Sequence, residues 1–406
     1  MSMQSIAWRN SSLYINLNAL RLSITLERST QAHVYNYDLS GRPWNVFLDG
    51  QIHQRGLDGK VVAKWTNPHT GRGRRWLSGT EADALIQRAS DLPAAILKDI
   101  RLGKITLESN GKQDLIALLS ASASFASHRS EEEVARFHEI YSPVGILPPD
   151  QYQAVLLQAT EGCSFNACTF CEFYKGREFH IKSEEDFETH SLRVLEFLGA
   201  GLSLRRTIFL GDANALVIPT ERILPMMDIA AKIFDVDALG GFYAFLDGFS
   251  GERKSKREYQ KLRKAGLKRV YIGLESGHDP LLRFLNKPGD ASDVLSAVQK
   301  IKAGGIPVAI IVLLGAGGEK FARGHVEDTA RLINDMKLDM HDQIYFSELI
   351  EFEGLPYARD AFRQEIKPLD LPSRLTQADR VLSKLSFSTR RGTPHISRYD
   401  IREFVY

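Results

Sequence analysis

The sequence predicts an α/β protein: a partial parallel (β/α)6 barrel, an N-terminal α+β accessory domain before it and a short C-terminal extension after it. Two observations carry the central part. Between about residues 150 and 355, six short apolar runs alternate with amphipathic stretches. The runs are continuous and rich in β-branched and aromatic residues, which suits strands buried on both faces of a parallel sheet. A third observation sets the limits. The flanking segments lose that alternation, so we divide the chain into 1–149, 150–356 and 357–406.

In order, the first segment carries turn signals between short strands at Tyr35-Asn-Tyr-Asp-Leu-Ser-Gly-Arg-Pro43, Leu48-Asp-Gly50 and Leu57-Asp-Gly-Lys-Val-Val62. Helical stretches follow near 79–103 and 130–141, and Pro143, Pro148 and Pro149 mark a linker. The six strands are predicted at Val155–Ala159, Thr207–Leu210, Gly241–Phe245, Arg269–Gly273, Val308–Leu314 and Gln343–Phe346. Between them, Ser183-Glu-Glu-Asp186 reads as a capping box for a helix with Phe187, Val194, Leu195 and Leu198 on its inner side. Pro219-Thr220 opens another helix, and Gly266 and Gly304-Gly305 stop two more. After 357 come Pro-rich breaks, one helix near 375–388 and a basic end. In sheets of this kind chemistry sits at the C-terminal ends of the strands.

Composition narrows the function classes. Of 406 residues, 43% are hydrophobic and 25% charged, ordinary for a globular protein. Lys and Arg number 52 against 50 acidic residues, which indicates neither a nucleic-acid coat nor a membrane surface. No apolar stretch reaches the roughly 20 residues of a spanning helix. Met1-Ser-Met-Gln-Ser-Ile-Ala-Trp8 lacks the basic and apolar regions of a signal peptide, so a cytoplasmic location is expected. The basic cluster Arg72-Gly-Arg-Arg75-Trp76 reads as a solvated loop, as do Arg390-Arg391 and Arg398.

All three cysteines of the chain fall within Glu161-Gly-Cys-Ser-Phe-Asn-Ala-Cys-Thr-Phe-Cys171, directly after the first predicted barrel strand. They are too close to form a disulfide framework. Thiolates suit zinc or an iron–sulfur cluster. A four-iron cluster takes four ligands, so three cysteines leave one iron open to a small molecule. That arrangement points to an enzyme. The competing reading is structural zinc, with His180 or Glu172 as a fourth ligand.

The loop and the strand ends together resemble the radical SAM superfamily over about 155–355. The spacing here is C-x4-C-x2-C, a variant of the family's three-and-two pattern, and the aromatic Phe170 stands just before the third cysteine. The resemblance implies that Cys163, Cys168 and Cys171 hold a single [4Fe–4S] cluster, with S-adenosyl-L-methionine on the open iron and Phe170 near adenine. Phe209-Leu-Gly-Asp-Ala-Asn214 stands where the family binds the methionine ammonium, which makes Gly211 and Asp212 candidates. Gly273-Leu-Glu-Ser-Gly277 makes Glu275 and Ser276 candidates for ribose and carboxylate contacts. Leu314-Gly-Ala-Gly-Gly-Glu319 offers the backbone of Gly315 and Gly317 beside adenine.

The implied activity is reductive cleavage of S-adenosylmethionine to a 5′-deoxyadenosyl radical that acts on a small-molecule substrate, possible work in biosynthesis included. The implied electron donor is a flavodoxin or ferredoxin. An aminocarboxypropyl-radical transferase using the same cluster, and a non-catalytic zinc or iron–sulfur binding protein, are the alternatives. No fourth cysteine is present for a second cluster or for a radical thiol, and no Asp-x-His-x-x-Gly cobalamin element occurs. Plainer roles compete at single positions: Asp212 as a turn residue, Glu275 paired with Arg263 or Lys268, and His341-Asp342 as a capped turn.

Overall fold

The computed structural model describes residues 2–29, 31–67, 71–108, 111–126, 128–248 and 253–406. It separates into two compact units. One comprises the chain up to Pro143 with Leu192–Arg205 and Val405–Tyr406; the other comprises Val144–Ser191 and Arg206–Phe404.

The first unit is an antiparallel meander of eight strands in chain order: β1 (Ser2–Trp8), β2 (Ser11–Leu17), β3 (Arg21–Arg28), β4 (Gln31–Asp38), β5 (Pro43–Leu48), β6 (Gln51–Arg55), β7 (Val61–Asn67) and β8 (Gly71–Trp76). Arg9-Asn10 and Asp49-Gly50 turn two of its hairpins with positive φ at both residues, the geometry whose twist matches paired strands. The basic cluster predicted as a loop is β8 itself, paired along β7. Helix α1 (Gly79–Arg101) starts on a capping box of Ser78 and Glu81. Its Leu85, Ala89, Leu92 and Ile96 join Leu13, Ile15, Ile24 and Tyr35 of the sheet in one core. Helices α2 (Lys112–Ala123) and α3 (His128–Ile140) follow. α2 escaped the sequence reading because it begins at Gly111 with no side-chain cap.

In the second unit, all six predicted barrel strands lie side by side in one parallel sheet. β9 (Ala154–Gln158) leads into the two-residue strands β10 (Thr160–Glu161) and β11 (His180–Ile181), and β12 (Thr207–Gly211), β13 (Phe242–Leu246), β14 (Leu267–Glu275), β15 (Val308–Leu314) and β16 (Gln343–Glu348) follow. β9, β12 and β15 are buried at every residue, as continuous apolar runs require. Helix α4 (Glu184–Leu198) starts where Ser183 Oγ accepts the Asp186 N–H at 3.0 Å. α5 (Thr220–Ile233), α6 (Lys256–Lys264), α7 (Asp279–Phe284), α8 (Ala291–Ala303) and α9 (Gly318–Asp335) fill the intervals. Gly266 and Gly305 take φ of 102° and 84° beyond α6 and α8, so both stops are where the sequence puts them.

The strand count needs correction. A seventh strand, β17 (His395–Tyr399), pairs in parallel with β16, with Ile344 opposite Ile396. The sheet order is β17-β16-β15-β14-β13-β12-β9. The segment expected as a mere extension therefore supplies an edge strand, after α10 (Pro356–Arg363) and α11 (Leu371–Leu382). His-Ile-Ser-Arg-Tyr carries no apolar run, and none of its five residues is fully buried. Among the described residues, no helix is long and apolar enough to cross a membrane.

Candidate active site

The cysteine loop leaves the sheet after β9 and returns before α4. The β10–β11 pair closes its neck, with Thr160 opposite Ile181 and Glu161 opposite His180. Inside the loop, Asn166 takes the left-handed conformation, φ 48°, which Asn tolerates better than most residues. Its Nδ2 donates to Tyr174 O at 2.7 Å, its carbonyl accepts from Lys175 Nζ at 2.8 Å, and its N–H points at Cys163 Sγ, 3.4 Å away. The four residues between Cys163 and Cys168 contain this local turn. The loop is also fastened from outside: Thr169 N–H donates to Leu285 O at 3.0 Å, and Asn286 Nδ2 donates to Ala167 O at 2.8 Å.

Cys163, Cys168 and Cys171 line one cavity, about 1180 Å³ including its open mouth. Phe170, Glu275, Phe245 and Leu313 line it too, so most of its wall is apolar. Burial pushes the Cys171 thiol up to about 12, against the opposing Phe173 N–H. Cys168 is raised by burial, with Lys287 pulling the other way. Ligation needs thiolates, so metal has to displace these protons. Among the described residues, no three Cys, His, Asp or Glu side chains converge as ligands of one ion. A four-iron cube has its irons at separate corners, so three thiols sharing one cavity wall fit it chemically. His180 is exposed beside Glu161, and Glu172 is exposed; neither lines the cavity.

The remaining candidates divide. Glu275 ends β14 on the cavity wall, with φ 59° and a register shift beside it. Burial raises its carboxyl, and the opposing cation is Lys287 at 3.4 Å, neither Arg263 nor Lys268. Ser276 is fully buried away from the cavity, its Oγ 2.7 Å from His325 Nδ1. Gly277 lets β14 approach α9, since a Cβ there would meet Asp328 O at 2.6 Å. Gly211 and Asp212 also lie off the cavity lining. Asp212 is 5% exposed and paired with Arg177 at 3.2 Å. Burial lifts its carboxyl to about 7, although Arg177 and the Gly162 N–H oppose the rise. Gly315 and Gly317 have φ of 80° and 71°, but their N–H groups already donate to Gln377 Oε1 and Tyr357 Oη at 2.8 and 2.9 Å. Asp342 behaves as a cap: it accepts the Val308 N–H at 2.8 Å.

Polar residues of the cavity that escaped the sequence reading include Asn214, Asp247 and Lys287. Asn214 follows β12, Asp247 follows β13, and Lys287 follows α7. Burial works against the charge of Lys287, but Glu275, Cys168 and Asp247 outweigh it and raise its pKa. Asp247 was findable as the polar residue ending the third strand. Lys287, between Asn286 and Pro288, sits in no pattern.

The loop carrying the three thiols lies at the C-terminal ends of a parallel sheet, where α/β enzymes carry their chemistry. Residues 157–333 match the family model described as the Radical SAM superfamily, so this segment is a radical SAM domain. The protein is an enzyme whose cofactors are a [4Fe–4S] cluster and S-adenosylmethionine. Among solved structures, methylornithine synthase (PylB) aligns at 16% identity over 74% of this chain and 85% of that one, with a TM-score of 0.41. Coproporphyrinogen III oxidase (HemN) from Escherichia coli aligns at 13% identity over 62% and 55%, TM-score 0.42. Streptococcus suis SuiB bound to S-adenosylmethionine aligns at 12% identity over 87% and 72%, TM-score 0.41. At these values the likenesses settle neither substrate nor reaction. No curated protein matches the chain.

Proposed function

We propose that Cys163, Cys168 and Cys171 hold the [4Fe–4S] cluster and that the enzyme cleaves S-adenosylmethionine reductively to act on a small-molecule substrate. The observation that carries this reading is the shared cavity: the three thiols, Phe170 and Glu275 line one space at the C-terminal ends of the strands. When bound and reduced at the three thiols, the cluster would supply the electron for reductive cleavage of S-adenosylmethionine at the sulfur–C5′ bond.

The chain's own residues position and shield. Phe170 packs beside Leu281, Leu285 and Leu313 and offers adenine an apolar surface. Glu275, held by Lys287, is placed for a ribose hydroxyl. Phe173, Leu349, Ile350, Phe352 and Ile401 add apolar lining that would keep water from a radical formed there. Cleavage at C5′ is proposed over the methionine side, with all three cysteines lining one cavity despite the longer Cys163–Cys168 gap. The electron donor is proposed to be a flavodoxin or ferredoxin and the compartment the cytoplasm.

Anaerobic reconstitution, iron and zinc analysis, and chromatography of a dithionite-reduced reaction test the reading. Iron with 5′-deoxyadenosine is the expected result. Stoichiometric zinc without iron would sink it.

A further inference from the structure

The edge strand β17 brings a phenol to the cavity. Tyr399 lines it, opposite Ser347 of β16 in the paired register. Ser347 lies on the cavity wall as well and hydrogen-bonds the phenol, and Glu275 is within electrostatic reach of it. Burial raises the phenol's pKa, so it keeps its proton at neutral pH. Tyr345 packs edge-on against the Tyr399 ring, 5.6 Å between centroids, which holds the ring in place.

The neighbouring tyrosine hydroxyls are committed elsewhere. Tyr345 Oη donates to Asp150 Oδ1 at 2.8 Å, and Tyr271 Oη donates to Asp150 Oδ2 at 2.6 Å. Tyr174 also lines the cavity, but it is 5% exposed and its Oη is buried. Tyr399 is therefore the phenol that faces this space.

A carbon radical takes hydrogen most readily from a weak bond to hydrogen. Thiols are the usual donors, and all three of this chain's thiols are assigned to iron. The O–H of Ser347 and the N–H bonds of Asn214 and Lys287, on the same wall, are too strong to replace them. A phenol O–H is weaker, because the phenoxyl left behind is delocalised over the ring. We propose that Tyr399 gives a hydrogen atom to the carbon radical formed on the substrate and so ends each turnover inside the cavity. This role rests on the proposed function and deepens it. The new C–H bond forms as the phenol O–H breaks; the carbon is reduced and Tyr399 is oxidised to a phenoxyl. One electron from the low-potential donor, of the flavodoxin or ferredoxin class, and one solvent proton restore the phenol.

The test uses S-adenosylmethionine as the probe, on cluster-loaded, dithionite-reduced protein in D2O with no added substrate. The phenol hydrogen exchanges with solvent, whereas a carbon radical takes no deuterium from D2O directly. The 5′-deoxyadenosine released by wild type should therefore carry one solvent deuterium by mass spectrometry. Freeze-quenched samples should show a phenoxyl EPR signal. With 3,5-difluorotyrosine in place of Tyr399, fluorine coupling should split that signal, in a protein that keeps its shape and its phenol. Tyr399→Phe should lose both the deuterium and the signal, while its iron content and calorimetric affinity for S-adenosylmethionine match wild type and show that it is folded. Tyr174→Phe should retain both. Unlabelled 5′-deoxyadenosine from wild type, a phenoxyl that fluorine leaves unsplit, deuterium surviving in Tyr399→Phe, or its loss in Tyr174→Phe would overturn the proposal. Wild type that holds iron but releases no 5′-deoxyadenosine would overturn the cleavage reading beneath it, a result distinct from the others.

Discussion

Arg177 Nη1 stands 3.2 Å from Asp212 Oδ2, with 18% and 4% of the two side chains exposed, and this pair joins the cysteine loop to the end of β12. The loop carries all three thiols, so the pair ties the thiol-bearing segment to the sheet. Burial leaves Asp212 with a pKa of about 7, above the ordinary 3.8.

That shift predicts a pH dependence of stability. A carboxyl whose pKa rises on folding is protonated more readily in the folded protein. Its stabilising contribution is full below the unfolded value and is lost as pH rises through about 7. Relative to Asp212→Asn, wild type should gain about 2 kcal/mol as pH falls from 8 to 5. Urea midpoints of the two proteins, measured anaerobically across that range, check it. A difference that is flat, or that grows toward high pH, would show that Asp212 is not raised.

Much of this architecture is legible because single segments carry it. Each of the six apolar runs commits its own residues to a buried strand, and the three cysteines announce their chemistry by spacing alone. β17 was not legible, because its short polar sequence shows no buried run and its partner β16 lies 52 residues earlier in the paired register. The Gly315 and Gly317 turn was legible as a turn. The partners of its N–H groups, Gln377 and Tyr357, lie 62 and 40 residues further on, and no local pattern reveals them. Lys287 is the same case. It matters through Glu275 and Cys168, and only the packing of α7 against the cysteine loop brings them together.

Lys287 and Glu275 predict an asymmetric mutational cycle. Their side chains are 10% and 12% exposed, so removing one partner leaves a buried charge. Lys287→Met should destabilise the protein by about 3–5 kcal/mol. The double variant Lys287→Met/Glu275→Gln should lose less than the sum of the two single changes. Denaturant titration of the four proteins measures the coupling. Strict additivity would mean that the pair contributes nothing of its own.

The thiols predict a stoichiometry. Three ligands and one cluster give about four irons per chain after anaerobic reconstitution. Replacing Cys163, Cys168 or Cys171 singly with Ala should abolish both the brown absorbance and S-adenosylmethionine cleavage. Iron analysis with visible spectra checks the outcome. A variant that keeps full iron would remove that cysteine from the ligand set.

Asn166 decides how the four-residue gap between Cys163 and Cys168 is accommodated. Its backbone sits at φ 48°, and its side chain donates to Tyr174 O at 2.7 Å. These two features can be separated. Asn166→Gly keeps the left-handed turn at no steric cost but gives up the hydrogen bonds, whereas Asn166→Ala loses both. The glycine variant should therefore hold more iron than the alanine variant, and both should hold less than wild type. The left-handed penalty of about 1–2 kcal/mol sets the size of the gap between them. If the turn keeps the cluster in its ordinary pose, wild type and Asn166→Gly should release 5′-deoxyadenosine as the main nucleoside. Asn166→Ala should turn over more slowly with the same product. Anaerobic iron analysis paired with nucleoside chromatography reads both effects on one sample. Methylthioadenosine as the main wild-type product, above spontaneous breakdown, would show that the chelate is tilted and that the bond on the methionine side is the one broken.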